Sequence, residues 1–458
     1  MAIHVRCGTL FTGNEDIAHK SQTVIADDAG RITHVGPSAT APRTEKGDKV
    51  LDYSDLFVMP GLHDVHTHLA YGNAKTEEDI DLYQPMEFRA IRGLFFAQKC
   101  LAAGYTSICA PGDAGQISLS VRNAINFGLF DGPRVTAAGR YLTTRQGLTD
   151  WYPTWIGVPD TSIGRLVTSK DEAVEEIRVQ AKNGVDCIKV ALDGFQRRPD
   201  GEYIAAFTQE ETDVIVTEAH RLGRKVVVHA RGREATLYAA RAGVDLIFHA
   251  YYLDDECIEA MLRSGSVIGP TMTFPRNIVD FTRPTEPAHI KGRIGAVQRE
   301  YEDACANLRR AREAGIPMMT GSDSGFAVTP YGEWHAREIE IFVNDLGFTP
   351  AQALRAATSV TAGFMSNGET LGVLEPGRIA DFIAVDGSPL ENVALLQDKT
   401  RIRHVHLAGR RVEVPPRGYD PRQVTDQAWT NWNDLYTQER VRELGIRPER
   451  RQAATQAS

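Results

Sequence analysis

Two histidines spaced two residues apart, His66 and His68, stand at the end of the apolar stretch FVMPGLHDVHTH. Because side chains alternate along a strand, both imidazoles are expected to point the same way. Two further histidines, His229 and His249, are each the last but one residue of the strand-like runs KVVVHA and VDLIFHA. If these strand ends lie at one rim, the four imidazoles converge on a pocket that can bind one or two metal ions.

A carboxylate and an amine add to this histidine set. Asp323, in TGSDSG, directly follows the last apolar run. Taken alone, such an aspartate is as readily a helix N-cap or a turn residue. Lys189 lies in the middle of the apolar run CIKVA, where a lysine is costly to bury unless it is paired or neutral. It either forms a salt bridge, for example to Asp186 or Asp193, or serves as a base, a Schiff-base amine or a modified ligand.

The elements that must position these residues are strands alternating with helices. About eight such units fill residues 58–365, which is the number in a (β/α)8 TIM barrel. Short β-rich runs occupy residues 1–57 and 366–415. The fold class is therefore α/β, with the barrel inserted into a small β-sandwich domain. Residues 416–458 form a polar tail.

The tail carries Trp429 and Trp432 and is expected to pack on the body or on a neighbouring subunit, with its last ten residues disordered. A net charge of −9 argues against a nucleic-acid or anionic-membrane binder. The six cysteines contain no C-x-x-C pair, which argues against a disulfide framework or a thiolate zinc site. Without an apolar run of signal or membrane-span length, we expect a cytoplasmic homo-oligomer with a small-molecule substrate.

The ordered set HxH, Lys, His, His, Asp is accompanied by three longer motifs, VMPGLHDVHTH, ALRAATSVTAGFM and LGVLEPGRIADFIAVDGSPL. With these motifs the chain resembles the amidohydrolase superfamily over nearly its whole length. Within that superfamily it is most similar to the imidazolonepropionase-like and prolidase-like branch, near the phenylurea and molinate hydrolases. The resemblance implies that the chain is a metal-dependent hydrolase.

The resemblance also implies the ligands of one or two divalent metal ions, with zinc the first candidate: His66, His68, Lys189, His229, His249 and Asp323. Asp323 would join the HxH pair around the more buried ion, and the other two histidines would hold the second. Lys189, carboxylated by CO2, would bridge both ions. A hydroxide generated between the metals would attack a carbonyl C–N bond in an amide, urea, carbamate or cyclic amide, with Asp323 moving the proton to the leaving nitrogen.

Four residues near the ligands are candidate substrate contacts. Arg231 could bind a carboxylate or carbonyl oxygen, and Tyr251 and Tyr252 could stack on or hydrogen-bond a ligand. His335 lies on a loop after the last strand. Each of the four could equally be a surface or packing residue.

Two other features stand out. The loop TDWYPTWIG carries aromatic side chains suited to lining a pocket or an interface: Trp151, Tyr152 and Trp155. His63 stands where related proteins carry an aliphatic residue, either as an incidental imidazole or as a partner of a ligand.

Three other functions remain as alternatives. A prolidase-like dipeptidase would need Arg231 for the substrate carboxylate. A single-metal deaminase would tolerate the loss of Lys189. A non-catalytic binding protein would be expected to lose metal ligands, whereas all six positions are filled. Motifs of other hydrolases and nucleotide-binding enzymes are absent: H-E-x-x-H, G-x-S-x-G, the Walker loop and the Rossmann glycine fingerprint.

Overall fold

The computed structural model describes residues 1–283, 288–413, 432 and 434–447, without the side chains of 288–291. Trp429 and the last ten residues of the predicted tail lie outside these ranges. The described strands are β1 (Ile3–Phe11), β2 (Ala18–Ala26), β3 (Ile32–Pro37), β4 (Lys49–Pro60), β5 (Leu62–Asp64), β6 (Tyr105–Ala110), β7 (Arg134–Ala137), β8 (Tyr141–Thr143), β9 (Gly164–Leu166), β10 (Cys187–Ala191), β11 (Asp193–Arg197), β12 (Tyr203–Ala205), β13 (Lys225–Ala230), β14 (Leu246–His249), β15 (Val267–Gly269), β16 (Phe382–Val385), β17 (Ile402–Leu407) and β18 (Arg410–Val412).

The described α-helices are α1 (Glu77–Asp81), α2 (Met86–Ala102), α3 (Ile117–Asn126), α4 (Lys170–Asn183), α5 (Gln209–Arg221), α6 (Arg233–Ala242), α7 (Asp255–Ser264), α8 (Thr273–Phe281), α9 (Ala288–Glu313), α10 (Arg337–Asn344), α11 (Pro350–Arg355) and α12 (Gln438–Glu443). A π-helical turn, Ala356–Val360, continues α11. Within the described part of the chain, no helix combines the length and apolarity needed to cross a membrane.

Strands from both ends of the chain form one seven-stranded mixed sheet in the order β18-β17-β16-β4-β1-β2-β3. The contact between the two ends is antiparallel, with Phe382 of β16 opposite Pro60 of β4. The predicted pairing of N-terminal and C-terminal strands is therefore present. Its arrangement as a sandwich, and the domain boundaries, stay predictions.

Parallel strands form the rest of the framework. One sheet has the order β15-β14-β13-β10-β8-β9 and another the order β5-β6-β7, and every pair in both is parallel. The burial of all residues of β6, β10 and β14 explains why these sequences are apolar on both faces. An isolated parallel bridge from Ala138 to Cys187 joins the two sheets. Two others, Ile268 to Met318 and Thr67 to Ser324, connect the sheets to the run IPMMTG and the residues that follow it. The core is thus mixed α/β, with parallel strands.

The run IPMMTG, predicted as the last strand of the series, is less regular than the others. It pairs with β15 through a single bridge, Ile268 to Met318, and the Thr320 carbonyl accepts from Val65 N–H at 3.0 Å. The Thr320 N–H donates to Thr361 Oγ1 at 3.0 Å instead of to a strand. The Thr361 side chain, just after the π-helical turn, therefore accepts the hydrogen bond that a neighbouring strand would otherwise accept.

Local signals place several helices where the sequence predicts them. Thr208 and Glu211 form a capping box at the start of α5, and Gly223 follows its end with φ +68°. The described part of the tail packs on its own chain, because Trp334 Nε1 donates to the Tyr436 carbonyl at 2.6 Å. The Trp432 ring lies 5.7 Å from that of Phe326. The tail therefore contacts the loop that follows Asp323.

Candidate metal centre

The HxH pair and Asp323 meet directly after β5. The His66 N–H donates to Asp64 Oδ1 at 2.8 Å, which fixes the backbone where the strand ends. The two rings are 4.9 Å apart, and their Nε2 atoms lie 3.5 Å (His66) and 3.1 Å (His68) from Asp323 Oδ1. Three donor atoms from two strand ends thus converge on one point, as the spacing predicts.

Asp323 reaches this point from a backbone conformation that is uncommon outside glycine. Its φ is +55°, and its carbonyl accepts from Thr329 Oγ1 at 2.7 Å. His249 has φ +74° and is followed by Ala250 at +52°. Such left-handed residues cost free energy and collect at functional sites, where the surrounding structure holds them.

The second pair comes from neighbouring parallel strands. Residues of β13 and β14 are in register, with His229 opposite Phe248 and Ala230 opposite His249. His229 Nδ1 and His249 Nε2 are 3.0 Å apart, and the ring centroids 4.5 Å. Two imidazole nitrogens so close, on rings inclined at 69° to one another, can both bind the same ion.

The remaining nitrogen of each of three histidines lies near a polar atom. His68 Nδ1 lies 2.9 Å from the Gly112 carbonyl oxygen, which can only accept a hydrogen bond. His249 Nδ1 donates to Thr271 Oγ1 at 2.6 Å, since that hydroxyl donates its own proton to the Pro270 carbonyl. His229 Nε2 lies 3.4 Å from Asp193 Oδ1. The partners of His68 and His249 set the tautomer that leaves the other nitrogen free for a metal, whereas Asp193 Oδ1 makes no hydrogen bond to His229 within the described residues.

Lys189 is buried between aromatic rings, and it forms no salt bridge within the described part of the chain. Its Nζ is 4.0 Å from the Phe248 ring centroid and 5.3 Å from that of Tyr141. Within the described residues, Nζ has no hydrogen-bond partner. Asp186 pairs with Arg122 at 2.7 Å, so the structural salt bridge considered for Lys189 is not formed there. Burial lowers the pKa of Lys189 to about 7, against a smaller opposing effect of Asp323.

The electrostatics favour the neutral form of three of the four histidines. Burial, reinforced by nearby cations, holds the pKa values of His66, His229 and His249 well below the ordinary value. Neutral imidazoles are the form that binds metal ions. One ligand atom from each of His66, His249 and Asp323 lies within 4.8 Å of the others. The donor set, with an unpartnered buried amine beside it, fits one or two divalent ions of borderline character.

The candidate substrate contacts lie at different distances from the ligands. Tyr251 is buried, with its hydroxyl 3.4 Å from His249 Nδ1. The Arg231 guanidinium carbon lies 5.9 Å from the Tyr251 ring centroid. The Tyr252 hydroxyl instead points to Glu300, 3.5 Å away. Tyr251 therefore contacts a candidate ligand and Arg231 lies near Tyr251, whereas the Tyr252 hydroxyl contacts Glu300 and none of the candidate ligands among the described residues.

His335 lies next to Asp64 and contacts the carboxylate oxygen other than the one that accepts from the His66 backbone N–H. It is buried, its Nδ1 is 2.7 Å from Asp64 Oδ2, and its Nε2 accepts from Gly332 N–H at 2.9 Å. Ser322 Oγ donates to the same Asp64 oxygen at 2.6 Å. Because Asp64 also holds the His66 backbone, this position suits a residue that positions the HxH turn.

The remaining sequence candidates are not among the converging atoms. His63 is buried with neither ring nitrogen hydrogen-bonded within the described chain, and burial lowers its pKa to about 3. Trp151 Nε1 donates to Asp81 Oδ2 at 3.0 Å, whereas Trp155 is 85% exposed. A cavity of about 580 Å³ lies elsewhere, between α8 and α9, and none of the six candidate ligands lines it.

Several contributors to the centre escaped the sequence reasoning. Tyr141 contacts both His68 and Lys189, yet it lies in a segment with no motif. Thr271 sits two residues after β15 with φ +51°, an unusual conformation that no local pattern announces. Asp64 could have been found, because it is the acidic residue inside LHDVHTH.

Comparison with known proteins supports the same chemistry. The profile described as "Amidohydrolase family" matches residues 57–412. Ochratoxinase of Aspergillus niger is 28% identical over 442 residues, which cover 91% of this chain and 88% of that protein. A solved Xaa-Pro dipeptidase with bound methionine is 27% identical with a TM-score of 0.79, covering 90% of this chain and all of the other.

A structure of molinate hydrolase, 21% identical, covers 92% of this chain and 98% of its own with a TM-score of 0.71, and shows the shared fold. The predicted resemblance, including its prolidase-like side, is confirmed by these matches. The family match, the relatives and the convergent ligands agree: the chain belongs to the amidohydrolase family and is a hydrolase of carbon–nitrogen bonds in small molecules.

Proposed function

We propose that the chain hydrolyses a carbonyl C–N bond with two divalent metal ions held at the carboxyl ends of a closed (β/α)8 barrel. The observation that carries this proposal is the 3.0 Å approach of His229 Nδ1 to His249 Nε2. This pair shares His249 with the group formed by His66, His249 and Asp323 and adds the His229 donor to it. A single-metal deaminase would not need both groups.

The six residues would divide between the two ions. His66, His68 and Asp323 share one point of convergence, and His229 with His249 forms the other. Bound there, the ions would supply Lewis acidity and lower the pKa of water toward neutrality. Zinc as the metal, homo-oligomer formation and a cytoplasmic location stay predictions from the sequence.

Lys189 is proposed to be carboxylated and to bridge the two groups. A lysine with a pKa of about 7 is largely or partly neutral at physiological pH, and the neutral amine is the form that attacks CO2. The neutral amine forms a nitrogen–carbon bond to CO2 and releases one proton, so the neutral side chain becomes a carbamate anion. That anion would remove the cost of a buried, unpartnered ammonium next to two dications.

The chain's own groups carry out the proton transfer and the orientation. Water attacks the carbonyl carbon, Asp323 takes its proton and passes it to the leaving nitrogen as the C–N bond breaks. Tyr251 and Arg231 lie where they can orient the substrate. We assign His335 a positioning role, through Asp64, for the HxH turn.

The test is the metal content of the purified full-length chain and of Lys189→Met, which keeps the bulk but not the amine. We expect about two ions per wild-type chain and one or fewer in the variant, with loss of hydrolysis. The exposed Lys182→Met serves as the matched control. Two retained ions and normal turnover in Lys189→Met would refute the bridging role.

A second candidate function, the prolidase-like dipeptidase, is favoured by one observation. The Arg231 guanidinium adjoins the ligands, and its Nε is buried without a hydrogen-bond partner among the described residues. Such a group suits a substrate carboxylate. Arg231→Met should then weaken the binding of substrates with a free carboxylate and leave the binding of neutral analogues unchanged. An equal effect on the binding of both would exclude this function.

A further inference from the structure

A glutamate from a distant helix stands beside Arg231. Glu300 lies on α9 and its side chain is only 12% exposed. Its Oε2 accepts from Arg197 Nη2 at 2.9 Å and from the Tyr203 hydroxyl at 2.8 Å. Arg197 in turn lies over the Tyr203 ring at 3.8 Å. The Tyr252 hydroxyl also lies 3.5 Å from Oε2, so three neighbours contact this oxygen and Arg231 makes no hydrogen bond to it.

Arg231 is held much more loosely. Its Nη1 is 3.8 Å from Glu300 Oε1, an ion-pair distance that is too long for a hydrogen bond. Its side chain is 16% exposed, and Nε has no partner within the described residues. The backbone N–H of Arg231 donates to Asp193, whose other oxygen approaches His229. The backbone of Arg231 is therefore fixed next to the His229 partner Asp193, and its guanidinium lies near both the Tyr251 ring and the Glu300 carboxylate.

We propose that Glu300 sets the charge selectivity of the site. It presents Arg231 with a resident carboxylate, so that substrates carrying their own carboxylate at this position are disfavoured. The preferred substrates are then neutral amides, ureas or carbamates. This inference rests on the proposed hydrolysis at the adjoining metal centre, because it assumes that substrates bind beside Arg231.

A purely structural ion pair would differ from what is found. Such a pair would place a Glu300 oxygen within hydrogen-bond distance of Arg231, whereas the short contacts go to Arg197 and Tyr203. A glutamine at position 300 can keep an oxygen at those two donors while losing the charge. The substitution Glu300→Gln therefore changes the electrostatics beside Arg231 with little change of shape.

The probes are N-acetyl-L-phenylalanine and its primary amide, which differ by one charge. Their affinities for metal-loaded wild type and E300Q are measured by calorimetry, and their hydrolysis is followed separately. We expect the wild type to prefer the amide. E300Q should bind the acid about 10- to 100-fold more tightly, the range for removing a like charge about 6–10 Å away at an effective dielectric constant of about 20. Amide affinity should change less than about threefold.

Matched variants separate the outcomes. Glu302→Gln, an exposed residue of the same helix, should leave the acid-to-amide ratio of affinities unchanged. The double variant E300Q/R231M should not show the tighter binding of the acid that is expected for E300Q. An unchanged ratio in E300Q, or no binding of the acid to it, would overturn the proposal.

If E300Q does not fold, Glu300→Ala tests the same charge. Failure of hydrolysis with the expected shift in binding would count against the proposed function and not against Glu300.

Discussion

Two neighbouring buried groups of histidine and carboxylate, named the lower and the upper group, are linked by the hydrogen bond from His66 N–H to Asp64. They differ in how their polar atoms are satisfied. In the lower group, Asp64, Ser322 and His335 hydrogen-bond to one another at 2.6–3.0 Å. In the upper group, Lys189 Nζ and His66 Nδ1 have no hydrogen-bond partner among the described residues. Because nearly all buried polar groups in proteins are satisfied, the upper group is arranged for something outside the chain.

An unsatisfied polar atom is not enough by itself. Both nitrogens of His63 are buried without a hydrogen bond in the described chain, yet this residue is absent from the convergent donors. The charged group that lowers the pKa of His63 is the Arg134 guanidinium. A cation of this kind cannot bind a metal ion together with His63. Convergence of several free donor atoms distinguishes the candidate centre from a merely unsatisfied side chain.

The largest expected effect is on the upper group. Asp323→Asn keeps the size and removes the base, so turnover should fall by about 10²–10⁴-fold, or more if metal is also lost. In the metal-free protein the free energy of unfolding should change by less than about 1 kcal/mol, because the substitution keeps the size of the side chain and opens no cavity. Steady-state kinetics and urea unfolding measure both, with the fully exposed Asp160→Asn as control. Near-normal turnover would remove Asp323 from the mechanism.

In the lower group the same substitution should act on stability instead. Asp64→Asn places an amide N–H opposite His335 Nδ1, which is 2.7 Å from the carboxylate oxygen in the native protein. Breaking one partner of a buried pair costs about 3–5 kcal/mol of unfolding free energy. Urea unfolding tests this. A loss below about 1 kcal/mol would show that the two groups do not differ as described.

The sequence predicted the upper group far better than the lower one. The HxH spacing and the strand-end histidines follow from periodicity, and Lys189 and Asp323 stood out by their positions inside CIKVA and after the last apolar run. The family resemblance then added their roles. The partners that hold them depend on contacts distant in sequence: Asp64 meets His335 across 271 residues. Glu300 approaches Arg231 from another helix, with no local pattern to mark it. Periodicity specifies which face a residue occupies, but not which distant residue meets it there.

A smaller effect is expected one contact away from the ligands. Thr271→Val removes the acceptor for His249 Nδ1 and keeps the shape. Loss of such a partner lowers metal affinity by about 10–100-fold, and the Tyr251 hydroxyl at 3.4 Å should keep the effect near the lower limit. Competition with a chromophoric chelator measures the affinity, with the exposed Thr40→Val as control. Unchanged affinity would mean that Thr271 does not orient this ligand.

A pH-dependent effect on stability sharpens the distinction between an unsatisfied residue and a site. Burial, with a smaller contribution from Arg134, lowers the pKa of His63 to about 3 in the native protein, while the unfolded chain has the ordinary value of about 6.5. Below about pH 6.5 the unfolded state therefore binds more protons than the native state, and stability falls as the pH falls.

For His63 alone this loss is about 2 kcal/mol at pH 5 relative to pH 7.5. The variant His63→Leu cannot take up that proton, so the decrease in unfolding free energy between the two pH values should be about 2 kcal/mol smaller than in wild type. The other buried histidines titrate in both proteins and cancel in the difference. Urea unfolding at the two pH values gives the decrease, and metal content should be the same in both proteins. A change in metal content would instead show that His63 contributes to the metal centre. The conclusion that His63 lies apart from the convergent donor atoms would then be wrong.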